Sequence, residues 1–141
     1  MNAPDTSVLV AGFVSSHRFN GDALAALGQV RRRGNLIAHT IAEAYSVLSA
    51  PGGVYRAEPA AVVAYLDQFV AEEPIPVRPS SYREALGLLA SGGRAGGAVY
   101  DALIGLAARD AGVTLLSLDA RAQPVYELCG ARVRTVAELT G

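Results

Sequence analysis

Apolar residues occur along this chain in short blocks, each closed by a breaker. Residues 7–14 form one continuous apolar run, readable as a buried strand or a short helix, which periodicity alone does not separate. Residues 22–33 carry Leu24, Leu27 and Val30 at helical spacing, and Gly34 stands where a helix would stop. Residues 35–38 read as a short strand. Residues 40–48 read as a helix broken by Pro51-Gly52-Gly53. A further helix is predicted over 60–71, with Val63, Leu66 and Val70 on one face. Residues 75–77, between Pro74 and Pro79, read as a short strand or extended segment. Helices follow over 81–90 and over 98–111, the second stopped by Gly112. The loop 91–97 between them holds four glycines. Residues 113–118 are the clearest strand, 120–129 a helix, and 132–136 a last short strand.

Strands alternating with helices imply a parallel sheet covered on both faces. Such sheets bind ligands beyond the carboxyl ends of their strands, near the point where strand order reverses. The 141 residues match one domain, spanning 1–141, and no repeat is evident. Hydrophobic residues make up 51% and charged residues 18%, enough for a packed core. No apolar run approaches the roughly 18–20 residues of a membrane span, so no membrane association is expected. The first residues lack the basic start and apolar core of a signal peptide. A lone cysteine, Cys129, allows no internal disulfide. A reducing, cytoplasmic setting is therefore expected.

The formal net charge is −1, which does not by itself suggest a nucleic-acid binder. All twelve basic residues are Arg. GC-rich coding explains that bias, although Arg also binds phosphate bidentately. Removing four acidic charges to bound metal would leave +3 on the rest of the protein. The charge permits an RNA or DNA substrate without pointing to one.

Of thirteen acidic residues, Asp67, Glu72, Glu73, Glu84, Glu127 and Glu138 sit where a solvated helix face would put them. Four others lie beside apolar elements. Asp119 follows the strand Leu115-Leu116-Ser117-Leu118, and an N-cap for the next helix is its ordinary reading. Asp101 lies in the first turn of an apolar helix, which suits the helix dipole. Glu43 fits a capping box with Thr40, as Glu84 does with Ser81, but Glu43 is flanked by Ile41, Ala44 and Val47. Asp5 precedes the apolar run as a turn residue would. Each acid has an ordinary role when taken alone. Together they fall at or near the ends of separate elements, which a parallel sheet brings to one edge. Two such charges about 5 Å apart cost roughly 3 kcal/mol at an effective dielectric near 20. Protonation or a bound cation would relieve that repulsion, and an all-oxygen donor set selects Mg²⁺ or Mn²⁺.

Four strings carry a resemblance: Asp5-Thr6-Ser7-Val8-Leu9-Val10-Ala11, Ala42-Glu43-Ala44-Tyr45, Tyr100-Asp101-Ala102-Leu103-Ile104 and Leu115-Leu116-Ser117-Leu118-Asp119. In this order the chain resembles the PIN-domain family, and within it the VapC-like ribonuclease toxins of bacterial toxin–antitoxin pairs. The resemblance implies a three-layer α/β/α fold with a central parallel sheet of four or five short strands. It makes residues 7–14 helical, because Asp5 would end the first strand. It implies a metal-dependent endoribonuclease that forms homodimers and is inhibited by a cognate antitoxin. Asp5, Glu43, Asp101 and Asp119 would be the catalytic metal ligands for Mg²⁺, with Mn²⁺ an alternative. Ser7 and Ser117 would hydrogen-bond those carboxylates or a phosphate. Only four residues precede Asp5, and Pro4 belongs at an edge or a bulge, so a truncated first strand is expected.

Other candidates carry less. Arg31-Arg32-Arg33 suits a helix C-terminus. Arg94 is a candidate phosphate contact. The loop 91–97 lacks the Gly-Lys-Ser/Thr ending of a phosphate-binding loop and reads as a flexible connector. His17 and His39 are expected to be ordinary, without a metal-like partner at helical spacing. Cys129 reads as a packing residue. A phosphoaspartate enzyme would want a Lys near the phosphate, and the chain has none. A dinucleotide enzyme would want Gly-x-Gly-x-x-Gly after an early strand, which is also missing. Two alternatives remain: an inactive PIN-like module that binds RNA or a partner protein, and a DNA nuclease of related fold.

Overall fold

Asp5 and Asn20 set the chain's first two reversals. A computed structural model of the protein describes residues 1–71 and 73–135. Glu72 and Glu138, and the Val136 end of the last expected strand, lie outside the described residues. The elements are β1 (Asn2–Pro4), α1 (Thr6–Phe13), α2 (Asn20–Arg33), α3 (Ala38–Ser49), α4 (Pro59–Asp67), α5 (Pro79–Ser91), α6 (Ala98–Ala111), β2 (Thr114–Ser117), α7 (Gln123–Leu128) and β3 (Arg132–Thr135). The apolar run after Asp5 is helical. Asp5 is its N-cap, with a side chain that accepts from the Val8 amide, so the run is committed to a helix at its first turn. At the other end of α1, Asn20 Nδ2 donates to the carbonyls of Ala11 (2.9 Å) and Gly12 (3.3 Å).

Strands β1, β2 and β3 form a parallel sheet in that order. Two isolated parallel bridges, Asn2 with Gly34 and Ile37 with Ile75, continue it past β1. The expected four or five strands are thus three strands and two bridged segments among the described residues. Asn35 explains why 35–38 forms no full strand. Its Oδ1 accepts from the amides of Leu36 (2.8 Å) and Ala71 (2.9 Å), and its Nδ2 donates to the Glu73 carbonyl (2.6 Å). A side chain is serving amides that a ladder would otherwise have paired.

Pro4 fits its strand for a geometric reason. The Met1 carbonyl accepts from Thr114 and the Asp5 amide donates to Leu116, so alternate residues of β1 face β2. Asn2 and Pro4 face the other way, where the Asn2 carbonyl accepts from Asn35. The missing proline N–H would have pointed away from β2. With the bridges included, β1 lies between a segment that follows it soon in the chain and a strand that follows much later. This is the reversal of strand order that makes a crevice.

Helices cover both faces. Leu116 packs with Val8, Leu9, Leu27, Val30 and Leu48 on one side. Leu115 packs with Ala3, Ile104, Ala107 and Tyr126 on the other. A third cluster joins α5, α6 and α7 through Leu89, Leu106, Val125 and Cys129. The buried face of α4 is Val62 and Leu66, continued by Phe69, whereas Val63 is exposed. Of the predicted face, Leu66 is buried and Val70 packs against the core, and only Val63 gives way, to Val62. Leu24 is likewise exposed, and Ala23 and Ala26 take the core side of α2. Neither capping box forms. Helix α3 starts at Ala38 and α5 at Pro79, which places Thr40 and Ser81 inside the first turn. Among the described residues, no helix is long and apolar enough to cross a membrane.

Candidate active site

The carboxyl ends of β1 and β2 are neighbours in the sheet, and they deliver the first acid. Asp5 is 2% exposed. Its Oδ1 accepts from Ser7 Oγ (2.5 Å) and the Val8 amide (3.3 Å), and its Oδ2 from Ser117 Oγ (2.6 Å) and Tyr126 OH (2.9 Å). Four donors fix one buried carboxylate. Burial pushes its pKa up, and the hydrogen bonds from Ser117, Ser7, Tyr126 and Val8 pull against that rise. Tyr126 stays protonated as a donor, because burial and the Asp5 charge raise its pKa far above the ordinary value.

The two serines also tie the strand ends together. Ser7 Oγ accepts from the Leu118 amide (2.9 Å), and Ser117 Oγ accepts from the Asp119 amide (3.0 Å). Each hydroxyl therefore donates to Asp5 while accepting from the segment that carries Asp119. Asp119 does not cap α7. Its Oδ1 accepts from the Arg121 amide (2.9 Å) within the turn before that helix, and the Arg121 guanidinium lies 3.6 Å from the same oxygen on an exposed side chain.

Glu43 comes from the middle of α3. Instead of a capping box, its Oε1 accepts from Thr6 Oγ1, across from the first turn of α1. Its Oε2 lies 3.9 Å from His39 Nε2, one turn back on the same helix. His39 therefore does have an acidic partner at helical spacing, contrary to the expectation for it. The His39 ring stacks on Tyr100 with centroids 5.7 Å apart, and Nε2 is buried without a hydrogen-bond partner.

Asp101 projects from the first turn of α6. Its pKa is pushed up to about 6, first by burial and then by the charges of Glu43, Asp119 and Asp5. That coupling shows all four predicted acids acting on one place. The same four line a single open cleft of about 600 Å³, together with Thr6, Ser7, His17, Arg18, Phe19, Arg121 and Tyr126.

Sequence reasoning missed Thr6, Tyr126, Arg18 and Arg121. Thr6 and Tyr126 have partners 37 and 121 positions away, and no local pattern marks them. Arg18 and Arg121 supply positive charge at the cleft, where Arg94 was the candidate. Arg94 does not line it. Arg31, Arg32 and Arg33 end α2 as expected. Glu84 pairs with Arg109 on the surface. Cys129 is buried against α6, and burial pushes its thiol up to about 11, as suits a packing residue.

The residues fit a hard divalent cation in kind. All four acids offer oxygen, and their mutual repulsion at Asp101 is what a cation would relieve. Among the described residues, no three His, Cys, Asp or Glu side chains stand close enough to hold one ion as they are. Mg²⁺ commonly keeps several waters and uses only one or two carboxylates directly, so the openness of the cleft is compatible with it.

The PIN domain family model matches residues 3–128 of the chain. Ribonuclease VapC40 of Mycobacterium tuberculosis is 43% identical over 139 residues, covering 99% of this chain and 98% of that protein. Ribonuclease VapC27 of the same species is 33% identical over 135 residues, covering 96% of each. FitAcB from Neisseria gonorrhoeae superposes with a TM-score of 0.72 at 16% identity, covering 97% of this chain and 99% of that one. VapBC2 from Rickettsia felis, solved bound to a DNA fragment from its promoter, gives 0.69 at 14% identity, covering 95% and 97%. At those identities the two structures speak for the α/β fold alone.

Proposed function

The chain belongs to the PIN domain family, and on that premise we propose that it is a Mg²⁺-dependent endoribonuclease, the toxin of a toxin–antitoxin pair. One observation carries the reading: Asp5, Glu43, Asp101 and Asp119, far apart in sequence, line one cleft and raise the pKa of one of their number. The names of the two full-length relatives, both ribonucleases, support RNA as substrate.

In this reading the four carboxylates hold Mg²⁺, or Mn²⁺, directly or through water. The bound metal would generate hydroxide at neutral pH and offset charge on the leaving oxygen. The chain's own residues supply position. Ser7, Ser117, Tyr126 and the Val8 amide hold Asp5 in one orientation. Thr6 holds Glu43. Arg18 and Arg121 face the cleft as donors for phosphates beside the scissile one. No histidine is needed as a base. A cognate antitoxin and a second copy of the chain are the proposed protein partners, and the FitAcB and VapBC2 neighbours support the first.

The spacing of the acids favours a second reading, a module that binds RNA or a partner without cutting. Incubating the antitoxin-free protein with mixed RNA and Mg²⁺ separates the two. Cleavage that EDTA stops and that is lost in Asp101→Asn supports the nuclease. A folded protein that leaves every RNA intact under Mg²⁺ and Mn²⁺ contradicts it.

A further inference from the structure

A second pocket of about 210 Å³ opens beside the acidic cleft and shares Phe19, Leu118 and Asp119 with it. Its remaining wall includes Asp22, Ala120 and Gln123. We propose that this pocket receives a guanine base of the RNA, next to the phosphate held in the cleft. The inference rests on the nuclease reading for its substrate, but the pocket can be tested without cleavage.

Three observations combine. The first is continuity. A base lies one sugar away from its phosphate, and the shared residues put the pocket that close to the four acids. The second is surface chemistry. Phe19 offers an aromatic wall for a base, and Leu118 an apolar one. The Arg18 guanidinium sits 4.4 Å from the Phe19 ring centroid and also lines the cleft. One arginine thus braces the aromatic wall and faces the phosphate side.

The third is an exposed carboxylate. Asp22, in the first turn of α2, has no hydrogen-bond or ion-pair partner among the described residues. A carboxylate only accepts when ionised. Guanine presents two adjacent donors, N1–H and the N2 amino group, which match its two oxygens bidentately. Uracil offers one N–H on that edge, and adenine and cytosine one amino group each. Gln123, whose Nε2 donates to Glu127 at 3.4 Å, adds a second amide N–H and a carbonyl oxygen. The pocket therefore favours guanine over the other three bases.

Titration of the isotope-labelled protein with guanosine, adenosine, cytidine and uridine, followed by magnetic resonance, tests this directly. Nucleosides carry no phosphate, so the result does not depend on metal binding or on cutting. Guanosine should bind on the order of tenfold more tightly than the others, shifting signals of Phe19 and Gln123. Asp22→Asn, an exposed change that spares the core, should erase that preference. Equal affinity for all four nucleosides, or an intact guanosine preference in Asp22→Asn, would overturn the proposal. If guanosine binds selectively but no RNA is cut, the pocket stands and the nuclease reading fails.

Discussion

A single carboxylate, Asp5, shows how the site is organised at the level of residues. It caps α1, ends β1 and collects hydroxyls from three other places in the fold. Asp101 is less constrained and more exposed to the charges around it. Its folded pKa, about 6, lies above its ordinary 3.8. The folded state therefore keeps a proton that the unfolded chain releases between those values. Stability from this group is full below about pH 3.8 and is lost as pH rises through about 6. In EDTA, Asp101→Asn should melt above the parent at pH 7, with the gap closing by pH 4. A gap independent of pH, or a variant that melts lower at pH 7, would show that the charge is not strained. The four acids were legible in the sequence because each stood beside an apolar block at a probable end of an element. Ser7 and Ser117 were legible from their nearness to Asp5 and Asp119. Thr6 and Tyr126 were not, because their roles depend on contacts that exist only after folding.

Among the elements, the first helix illustrates both what periodicity reveals and what it leaves open. Residues 8–14 are apolar throughout, and a buried helix and a buried strand look alike at that length. The N-cap at Asp5 decides for the helix, and close packing against α2 follows. A Cβ added at Gly12 would clash with Leu27 Cδ1 and come within 2.8 Å of Tyr65 OH. Gly12→Ala should therefore destabilise by about 1–3 kcal/mol and lower the melting temperature by several degrees. An unchanged melt would mean that α1 and α2 can separate at little cost. The two capping boxes failed for a common reason. Proline at the start of α5, and the bridge partner of Ile75 just before α3, let each helix begin earlier than its Ser or Thr. The strand at 35–38 was lost to the Asn35 side chain, a competitor that no hydrophobic pattern shows.

Over the whole molecule, a net charge of −1 conceals the gathering of four acids at one cleft. Sheet order gathers the acids at one crevice, where the chain turns from β1 into α1 and passes out of β2. Helices on both faces leave that edge open to solvent, and the turns before α2 and α7 place Arg18 and Arg121 at the cleft. Fold class and crevice followed from the alternation of elements, whereas the width of the cleft and the separation of its acids did not. The central claim is that this crevice is a divalent-cation site. Calorimetric titration of Mg²⁺ and Mn²⁺ into the protein, beside Asp101→Asn, tests it most directly. Saturable binding by the parent, weakened roughly tenfold or more in the variant, is the predicted result. No saturable binding of either ion by the folded parent, or equal affinity in the two proteins, would contradict it.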